Sequence, residues 1–136
     1  MTAPAYAEAA GRLLSAGAEG GAETEAAARV CRALVEFLTR FIGAAGARAL
    51  FRRSLVVTRR AHPWLAAPAL THDEAVWARL SASLAAHAPA AGDASVALVG
   101  ELLRLLATFV GADLAQQILH QHRPEVFPLD APREST

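Results

Sequence analysis

One short stretch of this chain occurs twice, half a chain length apart. Phe41-Ile42-Gly43-Ala44 returns as Phe109-Val110-Gly111-Ala112, an offset of 68 positions (41 to 109) in a chain of 136 residues. At the same offset Val30 aligns with Leu98, Leu34 with Leu102, Leu38 with Leu106, Ala47 with Ala115 and Leu50 with Ile118. Each copy reads as a long apolar helix, a glycine hinge and a second helix, and neither hairpin can bury its apolar side alone. The expectation is an all-α helical bundle of about six helices. Two glycine-hinged helical hairpins, turning at Gly43 and Gly111, pair about a pseudo-two-fold axis, and the first and fourth helices are added at the sides.

The remaining helices follow from periodicity and breakers. A first helix spans about Ala5 to Ala16 and ends in the glycine-rich stretch Gly17 to Gly21. In the second, about Thr24 to Ile42, Val30, Leu34, Phe37, Leu38 and Phe41 share one face, while Glu25, Arg29, Arg32, Glu36 and Arg40 form a solvated stripe of alternating sign. The third runs from about Ala44 to Ala61 and stops before Pro63. Thr71-His72-Asp73-Glu74 has the form of a capping box and starts the fourth, which Pro89 to Gly92 ends. Asp93 then caps the fifth, about Ala94 to Val110, whose wide leucine-rich stripe makes it the central helix. The sixth, about Ala112 to His122, is stopped by Pro124. Residues 1–123 thus form a single all-α domain with pseudo-repeats at about 24–61 and 93–122, followed by an extended, proline-rich tail over 124–136.

Composition narrows the function classes. Hydrophobic residues make up 54% of the chain and charged ones 19%, which is a globular balance rich in alanine, the best helix former. The thirteen basic residues, all Arg, equal the thirteen acidic ones, so net charge offers no reason to expect nucleic acid or an anionic membrane. The absence of lysine reads as codon preference. The apolar segment Ala94 to Val110 carries Glu101 and Arg104 and is too short and too charged to span a bilayer. The N-terminus has no basic stretch ahead of an apolar one, so a cytoplasmic location is expected.

Candidate chemistry is sparse. Arg48, Arg52, Arg53, Arg59 and Arg60 form a basic stripe on the third helix, opposite Leu50, Phe51, Ser54 and Val57, and are the candidate partner-binding residues. Such a stripe can meet phosphates, although a solvated face that pairs with acidic neighbours is the ordinary reading. Ala107 and Gly111 have the spacing of a helix-turn-helix, but Gln117 stands where that motif packs an Ile or Val. His62, His72, His87, His120 and His122 lack a helical metal-pair spacing, and Cys31 reads as a small buried hydrophobe. Trp64 and Trp77 read as packing residues. No catalytic, cofactor or metal residue is assigned.

The segment from Phe41 to Leu50 with Arg52 and Arg53 resembles short helical stretches in bacterial multidomain signalling proteins, and no functional residue is carried over from it. The leading expectation is a non-enzymatic protein-interaction or regulatory domain that forms a homodimer. The alternatives are nucleic-acid binding through the arginine stripe and an apolar small-molecule pocket lined by Phe37, Phe41, Leu106 and Phe109.

Overall fold

A computed structural model describes residues 3–17, 23–66 and 75–128. Among them the chain is all helix and turn: α1 (Ala3–Gly17), α2 (Glu23–Thr58), α3 (Ala75–Ala86), α4 (Ala88–Val110) and α5 (Ala112–His122). Five helices replace the six expected, because the second and third of that reading run on as α2, with Gly43 alone out of helical conformation. The capping box Thr71 to Glu74 and His72 lie outside the described residues.

A single glycine can turn the chain without a loop because its amide and carbonyl still serve the helices on either side. The Gly111 N–H donates to Ala107 O at 2.8 Å, closing α4, and its carbonyl accepts from the Ala115 N–H at 3.0 Å, opening α5. The cost is a backbone with φ of 94° and ψ of 150°, a region open in practice to glycine alone. Gly43 adopts nearly the same pair, 82° and 162°.

Pro89 to Gly92 do not end a helix. They form the first turn of α4, where amides have no intrahelical acceptor and a proline removes nothing. His87 alone separates α3 from α4. Asp93, expected as a cap, is therefore inside the helix.

The apolar core is built on α4, which packs against each of the other four helices. Leu98, Val99, Leu102, Leu103 and Leu106 of α4 and Leu34 and Leu38 of α2 are wholly buried. Each such side chain is worth roughly 1.5–3 kcal/mol relative to exposure. The helix α1 lies chiefly on α4, and α3 chiefly on α2. The α1 backbone passes close to α4 at Gly100, where a Cβ would sit in ordinary van der Waals contact, 3.7 Å from the Tyr6 carbonyl and 3.8 Å from the Ala7 backbone.

Packing continues past the boundary at 123. Val126 and Phe127 are buried, and both of their amides donate to the Arg123 carbonyl in a turn. The expectation that the chain runs extended from Pro124 is corrected there; residues after Pro128 lie outside the described ones.

The two hinge glycines differ from glycines within helices. A Cβ at Gly43, Gly111 or Gly92 meets nothing within 4 Å, so substitution reports backbone conformation alone. Gly43→Ala and Gly111→Ala are each expected to lower stability by about 1–3 kcal/mol. Gly92→Ala, within a regular helix, should raise it by about 0.5–1 kcal/mol. Urea unfolding followed by circular dichroism checks all three, and equal effects would contradict the hinge geometry.

Candidate functional site

The arginine stripe is split by the structure. Arg48, Arg52 and Arg53 are exposed on the second arm of α2, and no ion pair engages them among the described residues. Because α2 ends at Thr58, Arg59 and Arg60 are in the turn that follows and do not extend the helical face. Arg59 folds back on its own chain, its Nε donating to Leu65 O at 3.0 Å and its Nη2 to Pro63 O at 3.1 Å. It ties down the segment leaving α2, a role that residue spacing does not reveal.

The two glycines create the other notable surface. Phe41 and Phe109 end the apolar stripes of their helices, and both stripes outrun the helices that cover them. Phe41 is 42% exposed and Phe109 63%, against the expectation that both are buried. Leu114, early in α5, is 49% exposed. It lies four residues before the buried Ile118 and so at the edge of the same face, and helical phase by itself does not mark it as exposed. Beneath Phe41, the Phe37 ring stacks at 5.2 Å, with the Arg40 guanidinium 5.6 Å from the Phe37 centroid. Since Leu106 is wholly buried while Phe41 and Phe109 face solvent, the lining expected for an apolar pocket is divided between core and surface.

Cys31 is buried, and His62, His87 and His120 are engaged in packing or backbone contacts. Burial pushes the Cys31 thiol up to about 12, so it stays protonated and unreactive at neutral pH. His120 Nδ1 donates to the Phe127 carbonyl at 2.8 Å, fastening the turn after α5. His87 stacks on Trp64 at 4.4 Å and 11°, with Nδ1 3.1 Å from Ser83 O, while His62 meets the other side of Trp64 edge-on at 5.7 Å. Trp77 packs on Phe51 at 4.9 Å. Among the described residues no three His, Cys, Asp or Glu converge as a metal site, and no helix is long and apolar enough to cross a membrane.

Known protein families, curated proteins and solved structures give no match to this chain.

The titration of His122 is displaced. Its ring lies 4.8 Å from the Phe37 centroid, and burial lowers its pKa, helped by Arg123. The folded state thus binds a proton less readily than the unfolded chain, where an unperturbed histidine titrates near 6.5. The contribution of His122 to stability is complete above that value and is lost as pH falls below it. Thermal melts between pH 5 and 8 should show a decline on the acid side that is shallower in His122→Phe. An identical slope in the variant would contradict the assignment.

Proposed function

We propose that this chain is a non-enzymatic protein-interaction or regulatory domain whose two glycine corners present apolar side chains to a partner protein. The observation that carries the reading is the exposure of Phe41 and Phe109 at equivalent corners of a chain whose other large apolar stripes are buried. Aromatic residues lead among the side chains that anchor interfaces. The engagement of Cys31 and of His87 and His120 in packing and backbone contacts supports the non-enzymatic part.

Part of the same reading is that the halves are related by a pseudo-two-fold axis. The near-equal dihedrals at Gly43 and Gly111 support it. So does the burial pattern: Ala26, Val30, Cys31, Leu34, Val35, Leu38, Ala47 and Phe51 are buried, as are Ala94, Leu98, Val99, Leu102, Leu103, Leu106, Ala115 and Leu119 at the 68-residue offset. The reciprocal seating of α1 on α4 and α3 on α2 supports it too, and extends the repeat from hairpins to three-arm halves.

A photoreactive phenylalanine analogue placed at position 41 or 109 in the producing cells tests the interaction reading. Protein adducts are expected from both corners and not from a control at position 53. Absence of adducts from either corner would overturn it.

A second reading, nucleic-acid binding, has in its favour the exposed Arg48, Arg52 and Arg53, which have no ion pair among the described residues. It requires affinity for duplex DNA or RNA that weakens steeply with salt and disappears in Arg48→Glu/Arg52→Glu. No binding at low salt ends that reading.

A further inference from the structure

The two glycine corners share a backbone but not a surface. At the first, the exposed cations Arg40 and Arg48 stand one residue before and seven after Phe41, and the position following the hinge by three is Gly46, which has no side chain and against which the Ile42 side chain lies. At the second, the equivalents of Arg40 and Arg48 are the neutral Thr108 and Gln116. Leu114 stands where the first corner has Gly46, and the carboxylate Asp113 where it has Ala45. One corner therefore carries exposed cations, and the other a carboxylate and an additional exposed leucine.

The charges at both corners are available to a partner. The neighbouring charges are already matched within the chain, Glu36 with Arg32 and Arg104 with Glu101. Arg48 and Asp113 are exposed and have no ion pair among the described residues.

We infer that the occupant of the first corner is a second copy of this chain, seated through its own second corner. Phe109 and Leu114 of one copy pack beside Phe41 and over Gly46 of the other, with Asp113 facing Arg48. This rests on the interaction reading above and specifies its partner. Opposite charge and inverse side-chain volume on one backbone frame argue for head-to-tail recognition, in contrast to a patch that meets itself. The formal net charge of zero removes the general repulsion that would oppose association of like copies.

Analytical ultracentrifugation of the full chain over a concentration series tests this. The wild type should associate reversibly, and Phe109→Asp should remain monomeric with an unchanged melting temperature. Arg48→Glu and Asp113→Arg alter exposed side chains, so both should fold, and each alone should weaken association by at least about tenfold. Arg48→Glu/Asp113→Arg in one chain restores the opposite charges and should recover most of the affinity. A mixture of the two single variants should associate in alternation where neither does alone, since every junction between unlike copies then pairs opposite charges. A wild type that stays monomeric throughout would overturn the inference. So would association indifferent to the single charge reversals, or singles that weaken it without recovery in the double variant. Adducts from positions 41 and 109 to a different protein would also overturn it while leaving the interaction reading standing, whereas no adduct at all would remove both.

Discussion

The long helices α2 and α4 bury their leucine-rich stripes in a common core, and every other contact presupposes that burial. Leu34, Leu38, Leu98, Leu102 and Leu106 have no exposure, and together they supply the largest apolar area available to a chain this rich in alanine. Alanine favours the helix but contributes little on burial, so the leucines decide where helices meet. Once α2 and α4 are joined, the remaining helices have grooves to occupy. The outer helix α1 brings its backbone close to α4 at Gly100.

Two hinge glycines then convert long stripes into a closed shape. A straight helix across the length of α2 would carry its second arm away from the core. At Gly43 and Gly111 the chain accepts a glycine-only backbone conformation and keeps the hydrogen bonds that a loop would lose, as the Gly111 amide and carbonyl illustrate. The same economy leaves a surface. Because the chain turns within one residue, the phenylalanines just before each hinge are only partly covered, and the corners become the places where this fold is least complete.

Much of this was legible in residues. The 68-residue offset set out both hinges, the central helix and the stripes of α2 and α4, because helical period and glycine are strong local signals. Helix ends were read less well. Pro89 was taken as a stop and is a start, since a proline's missing amide is harmless in a first turn and its sequence position alone does not distinguish the two. The arginine stripe was seen as one feature, and Arg59 left it once the helix ended at Thr58 and two backbone carbonyls came within reach.

The sequence by itself determined the helical class, the places where the chain bends and the residues that must be hidden, because these follow from dihedral preference and periodicity within a few neighbouring positions. Tertiary structure decided which ends of the apolar stripes stay uncovered. Phe41 sits in phase with Leu34 and Leu38 yet reaches solvent, for burial depends on whether another helix extends far enough to cover it, and that is fixed by residues distant in the chain. It also decided that Val126 and Phe127 fold back into the core, through a turn on Arg123 and a hydrogen bond to His120 that no local pattern announces.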